Sequence, residues 1–116
     1  MRQLHAIQSV LAKALRMARE SNRRVRSLQL ALGEISELEP ISIQKHWDEL
    51  SKGTLVERAR LRFRSIKAEV QCMACFEKYS PVDGKIHCPY CGSYGAKILS
   101  GEEFFLESIE FDDEQT

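Results

Sequence analysis

The 116-residue sequence predicts an α+β fold: a small three-stranded sheet, two helices, and a four-cysteine ribbon-like module inserted before the last strand. Three observations predict it. Two stretches repeat apolar residues at helical spacing, and three alternate apolar and polar residues as strands do. All four cysteines are bunched in one segment, between the last two of those strands. Two helices on one face of a small sheet satisfy this order.

Each element has its own grounds. Leu4, Ile7, Leu11, Leu15 and Ala18 recur at helical spacing with Val10 and Ala14 beside them, while Gln8, Lys13, Arg16 and Arg19 fall elsewhere on the wheel. This predicts an amphipathic helix from about residue 3 to 20, with Ser21 and Asn22 at its exit. In the stretch from Arg26 to Leu32, Leu28, Leu30 and Leu32 share one face, as a half-buried strand requires, and Gly33 stops it. Pro40 opens the second helix, where its missing N–H costs little. Ile43, Trp47 and Leu50 form its buried stripe, and Gly53 is placed as the C′ residue that ends it. From Glu57 to Ile66, Ala59, Leu61 and Phe63 face one way and Arg58, Arg60, Arg62 and Arg64 the other. The last strand, about Glu103 to Phe111, carries Phe104, Leu106, Ile109 and Phe111; its apolar phase changes between Leu106 and Ile109, which predicts a bulge or a switch of packing face.

The cysteines carry the chemistry. Cys72 and Cys75 form one C-x-x-C, Cys88 and Cys91 another, and twelve residues separate the pairs. Two residues between cysteines let both sulfurs turn towards one point, and a short hairpin brings the second pair to face the first. The product is a four-sulfur tetrahedral cage, the usual form of a structural zinc site, so the module reads as zinc-ribbon-like. Pro89 pre-sets the turn of the second pair, and Gly92 is expected to let backbone N–H groups approach the sulfurs. Iron would fit the same four sulfurs. A disulfide framework does not suit cysteines bunched in one segment behind a charged N-terminus that lacks a long apolar core. Four thiolates leave no open position for a catalytic water. His87, beside Cys88, is an alternative ligand, but the plainer reading is an exposed turn histidine.

The predicted organisation is residues 1–69 together with 98–111 as an α/β part, 70–97 as the metal module, and 112–116 as an acidic tail. With both ends of the module anchored to the sheet, loss of zinc would be felt in the sheet. No apolar run approaches the ~20 residues that span a bilayer, and cysteines held as metal thiolates suit a reducing cytosol, so a cytoplasmic protein is expected. The net charge of zero conceals an asymmetry: residues 1–71 carry 14 Lys+Arg against 8 Asp+Glu, and residues 72–116 carry 3 against 9. The strand arginines invite a nucleic-acid or acidic-partner reading. The plainer one is a solvated face paired with glutamates across the sheet, which also guards an edge, and the scarcity of interleaved aromatics argues against nucleic acid. No nucleophile–base pair, phosphate loop or open metal motif speaks for an enzyme.

Set in order along the chain, several short motifs resemble the HypA/HybF family of nickel-insertion accessory proteins of [NiFe]-hydrogenase maturation. They are Gln8-Ser9, Leu32-Gly33-Glu34-Ile35-Ser36, Leu50-Ser51-Lys52-Gly53-Thr54, the paired C-x-x-C with Cys88-Pro89-Tyr90-Cys91-Gly92-Ser93, Ser100-Gly101-Glu102 and Leu106-Glu107-Ser108-Ile109-Glu110. The resemblance implies a nickel-binding α/β part and a zinc part, with Cys72, Cys75, Cys88 and Cys91 on zinc. It also implies a metallochaperone that passes Ni²⁺ towards the hydrogenase large subunit together with a HypB-like GTPase. The family's usual Met-His-Glu start is absent. Arg2 is a permanent cation with no lone pair to offer a metal, and Gln3 replaces the acidic residue. His5 lies about one helical turn after Met1, so Met1 (through its terminal amine) and His5 are the substitute nickel ligands to test. His46, beside Trp47, reads as an ordinary helix imidazole. Two functions follow: a nickel metallochaperone with structural zinc, or a zinc-stabilised adaptor of the same fold that has lost nickel delivery.

Overall fold

The first strand is the axis of the molecule. The computed structural model describes residues 2–83 and 85–112. Met1 and residues 113–116 lie outside them, so of the expected acidic tail only Asp112 is described. In chain order the elements are α1 (Arg2–Ser21), β1 (Val25–Gly33), α2 (Pro40–Leu50), β2 (Arg60–Ile66), β3 (Glu69–Cys72), β4 (Lys78–Tyr79), β5 (Ala96–Ser100) and β6 (Phe104–Phe111). They form two three-stranded sheets, β2-β1-β6 and β4-β3-β5. β1 runs parallel to β2, with Leu28 beside Leu61 and Leu30 beside Phe63. It runs antiparallel to β6, with Leu30 beside Leu106.

Both helices pack on the face of the first sheet that carries Leu28, Leu30 and Leu32, as the apolar pattern predicts. Ile7, Val10, Ala14 and Ala18 of α1 meet Ile43 and Trp47 of α2, Leu61 of β2 and Leu106 of β6 in one core. Trp47 is fully buried, and its indole N–H donates to the carbonyl of Val56 at 3.4 Å, which ties α2 to the loop that follows it. The stripe of α1 is centred on Val10 and Ala14, with Leu11 and Leu15 at its flank. Small residues at the centre let the helix sit close to the sheet.

Four details differ from the sequence reading. β1 is not half-buried: Ser27, Ala31 and Gly33, on the face away from the helices, are buried as well. They are small, and the longer side chains of the two neighbouring strands close over them; Arg64 of β2 reaches Glu107 of β6, Nε to the carboxylate oxygens at 3.0 and 2.9 Å. The cap of α2 is Ser51, whose N–H donates to the carbonyl of Trp47 at 2.9 Å, so Gly53 stands one residue beyond C′, in the left-handed region (φ +77°). β2 begins at Arg60 rather than Glu57 because Arg58 takes φ +66°, and it is not part of the strand face. The cysteine segment is not a simple hairpin but a second sheet, in which Cys72 of β3 pairs with Ala96 of β5. The predicted bulge in β6 is present. Leu106 pairs with Leu30 and Ser108 with Gln29, so Glu107 is the extra residue that switches the apolar phase.

The two sheets meet at a narrow neck. β3 and β5 are antiparallel neighbours, so the chain enters and leaves the cysteine sheet at one place. There the N–H of Gly33 donates to the Glu103 carbonyl at 2.6 Å, that of Glu34 to Ile66 at 2.8 Å, and that of Ile35 to Gly101 at 2.8 Å. The Glu34 carboxylate accepts from the Ala68 N–H at 3.0 Å, and the Ser100 hydroxyl donates to the Lys67 carbonyl at 2.9 Å. The strands leave no room for side chains: a Cβ on Gly33 would stand 2.0 Å from the Gly101 carbonyl oxygen, and one on Gly101 would stand 2.7 Å from the Ala68 Cα. Among the described residues, no helix is long and apolar enough to cross a membrane.

Candidate metal centre

Two knuckles of chain build the centre, one after β3 and one between β4 and β5. In each, the carbonyl of the first cysteine accepts from an N–H four residues on: Phe76 to Cys72 and Gly92 to Cys88, both at 2.9 Å. Both closing residues need the left-handed region, Phe76 at φ +65° and Gly92 at +80°. The turn so formed aims backbone N–H groups at sulfur. Ala74 and Cys75 donate to Cys72 Sγ at 3.3 and 3.4 Å, and Tyr90 donates to Cys88 Sγ at 3.4 Å. Gly92 therefore serves the turn by its φ; the donors near sulfur in its knuckle are the N–H groups of Tyr90 and, towards Cys91, Ser93.

The four sulfurs converge. Every pair of them lies within 4.8 Å, with Cys72 and Cys91 3.5 Å apart and Cys75 and Cys88 3.7 Å apart. A tetrahedral ion with metal–sulfur bonds of about 2.3 Å needs sulfurs about 3.8 Å apart. All four cysteines are free thiols. The donor set thus fits zinc in number, geometry and chemistry. Cys72 and Cys88 are buried, Cys75 is half-buried and Cys91 is exposed, so the cluster opens at one corner. His87 is not among the converging groups: it is exposed and stacks on Tyr94 with ring centroids 4.8 Å apart.

The four sulfurs stand close enough to shift one another's protonation. The Cys75 N–H, helped by that of Ala74, outweighs burial and holds the Cys72 thiol down at about 6. At Cys75 the Glu77 N–H pulls the other way, but burial and the sulfurs of Cys88, Cys72 and Cys91 together push the thiol up to about 12. Cys91 is also raised, the Ser93 N–H being outweighed by the Cys72 sulfur and burial. One thiolate is tolerated easily, and further ones repel it until a divalent ion compensates. Tyr79, against the cluster on β4, has a buried hydroxyl with no hydrogen-bond partner among the described residues, and its phenol is raised first by burial and then by the thiolates.

The sequence-predicted nickel residues are placed less completely. Met1 lies outside the described residues. His5 is exposed on the first turn of α1 and belongs to no ligand cluster among the described residues. Beside that turn is a hollow of about 330 Å³ lined by Ala6, Ile35, Ser36, Glu37, Leu38, Glu102 and Phe104. The sequence reading missed the neck. It gave Gly33 only the role of ending β1 and gave the segment around Gly101 none; a Gly-Glu pair closing a strand, and a Gly just before the next, are the signals that point there.

Comparison with known proteins bears on the whole chain. The family described as "Hydrogenase/urease nickel incorporation, metallochaperone, hypA" matches residues 1–111. The protein called hydrogenase maturation factor HypA in Dehalococcoides mccartyi is 32% identical over 115 residues, which is 98% of this chain and 97% of that one. Its namesake in Aquifex aeolicus is 30% identical over 113 residues, 97% and 98% of the two chains. The solution structure of the Ni metallochaperone HypA from Helicobacter pylori superposes with a TM-score of 0.66 at 21% identity, covering 94% of this chain and 96% of that one, which shows a shared fold.

Proposed function

The chain belongs to the HypA family of hydrogenase and urease nickel-incorporation proteins, and from that membership we propose that it is a nickel metallochaperone of hydrogenase maturation. The observation that carries the reading is the match along residues 1–111, joined to four sulfurs gathered at the spacing a tetrahedral ion requires. Cys72, Cys75, Cys88 and Cys91 hold zinc, which cross-links the two knuckles and supplies no reactive position. The nickel-type part is residues 1–68 with 101–111, and the zinc module is 69–100, wider than the 70–97 read from the sequence because β3 and β5 both belong whole to the cysteine sheet. The protein works by binding and release rather than catalysis, in the cytoplasm, with a HypB-like GTPase and the hydrogenase large subunit as its partners.

The nickel grip is the residue-level part of the proposal. Arg2 and Gln3 offer no strong ligand at the usual positions. The terminal amine of Met1 and the imidazole of His5 take their place, a nitrogen pair from which a cargo ion can be exchanged. Titrating Ni²⁺ into the zinc-loaded protein tests this. Stoichiometric binding, lost in His5→Ala and on blocking the terminal amine, is the expected result. No binding below about 100 μM would replace the reading with that of a zinc-stabilised adaptor, which the Arg2-Gln3 start favours.

A further inference from the structure

Beyond metal handling, the structure carries a surface that the function above leaves unused. β2 is an edge strand, paired among the described residues on one side only, with β1. Its other side presents backbone N–H and C=O groups over Arg60–Ile66, a length of roughly 23 Å at about 3.3 Å per residue. The side chains along it sort by face. Leu61 and Phe63 point into the helix-covered core, and Phe63 is only partly buried. Arg60, Arg62 and Arg64 stand on the face that no helix covers. Arg64 is answered by Glu107 from across β1. Arg60 and Arg62 have no ion pair among the described residues. The basic surface continues past the start of β2, where Arg24, Arg26 and Arg58 line a hollow of about 430 Å³ with the acids Glu57 and Asp112; there Arg26 pairs with Asp112 at 3.6 Å, while Arg24 and Arg58 have no ion pair among the described residues.

We propose that the β2 edge is a docking site for an extended acidic segment of a partner protein, which adds to the β2-β1-β6 sheet as a fourth strand. The backbone of the edge supplies the hydrogen bonds, and the alternation of side chains supplies the selection. An incoming strand with acidic residues at every second position sets them over Arg60 and Arg62, and its intervening apolar residues then fall on the helix side beside Phe63. Charge complementarity decides among occupants. A second copy offering the same edge would set arginine against arginine. Nucleic acid would find the cations without an aromatic on the open face of β2 to stack a base. The arginines that keep the edge from pairing with itself thus leave it open to a strand of opposite charge.

The test uses the full chain loaded with zinc and a capped heptapeptide of alternating glutamate and valine. The expected result is perturbed amide resonances and slowed amide exchange over Arg60–Ile66, weakening with added salt. The R60E/R62E double variant, which touches no core contact and no bond in the fold, should weaken binding roughly tenfold. The same peptide with alternate amides N-methylated should not bind, because the charges remain but the strand cannot pair. Three outcomes would overturn the proposal: perturbations that avoid β2, equal binding by the methylated peptide, or an oligothymidine that displaces the peptide from the β2 amides. Self-association in sedimentation that buries the same amides would assign the edge to a second copy instead. Nickel titration reads none of these signals, so the metal proposal and this one fail separately.

Discussion

The two sheets have the same number of strands and are held together by different means. Around β2-β1-β6, the core buries Trp47, Ile43, Ile7 and the leucines of β1 beneath two helices. Around β4-β3-β5, the buried cluster is Val70, Tyr79, Cys72 and Cys88, so two of its four members are the sulfur residues themselves. Apolar burial at about 25 cal/mol per Å² gives the first sheet a cohesion the second cannot match. A set of short strands with so small a core needs a cross-link, and four converging thiols provide for one. The difference teaches that the metal in this chain stands in for a hydrophobic core.

If that is right, the largest effect comes from the metal. Chelating zinc, or the Cys88→Ser substitution, should unfold residues 69–100 while α1, α2 and the first sheet remain, in place of the coupling to the sheet that the sequence suggests, because the two sheets have separate cores; the loss is on the order of 10 kcal/mol for the module. Amide exchange resolved by NMR would show protection vanishing on one side of the neck only. A module that stays protected without metal would break the comparison. Trp47→Ala is the converse. Trp47 has no exposed surface, and its truncation should cost roughly 3–5 kcal/mol in the helix-covered part. Its melting point should fall while zinc content, measured by atomic emission, stays unchanged.

The neck is where the contrast is sharpened, because both parts share it. Gly101 adopts φ +111°, and an added Cβ would lie 2.7 Å from the Ala68 Cα. Gly101→Ala should therefore destabilise by roughly 1–3 kcal/mol. It should also do what neither earlier variant does and lower protection in β6 and in β5 together. An effect confined to one sheet would mean that the neck is a passive linker.

Much of this was legible in the sequence, for physical reasons that differ between the two parts. Helical and alternating periodicity report a face buried against a large core, so α1, β1, α2 and β6 could be read, along with the phase change that proved to be the Glu107 bulge. The cysteine spacing reports ligand geometry directly, so the converging sulfurs could be read too. The strands of the second sheet could not: β4 has two residues, too few for any period to show, and they are fixed by pairing and by the knuckles rather than by burial. The burial of Ser27 and Ala31 was hidden because it depends on side chains from strands far away in sequence: Glu110, which accepts from the Ser27 hydroxyl at 2.8 Å, and Arg64 with Glu107 by Ala31. The start of β2 was misplaced because alternation continues through Arg58, whose positive φ leaves no mark in composition.

The smallest expected effect compares the two knuckles with each other. They use the same hydrogen bond and the same left-handed closing residue, but one closes with Phe76 and the other with Gly92. A side chain at φ +65° costs roughly 1 kcal/mol that glycine avoids. The Phe76 ring is 63% exposed and recovers little of that by packing. Phe76→Gly should therefore stabilise the metal-loaded module by about 0.5–1 kcal/mol, read as a several-fold higher chelator concentration needed to remove zinc. Gly92→Ala should shift that concentration the other way by a similar factor, since its Cβ meets only His87 Nε2 at 3.9 Å and the penalty is purely one of backbone conformation. If Phe76→Gly loosened the metal instead, the exposed ring would have to be holding the first knuckle in place, and the two knuckles would not be equivalent supports for the same ion.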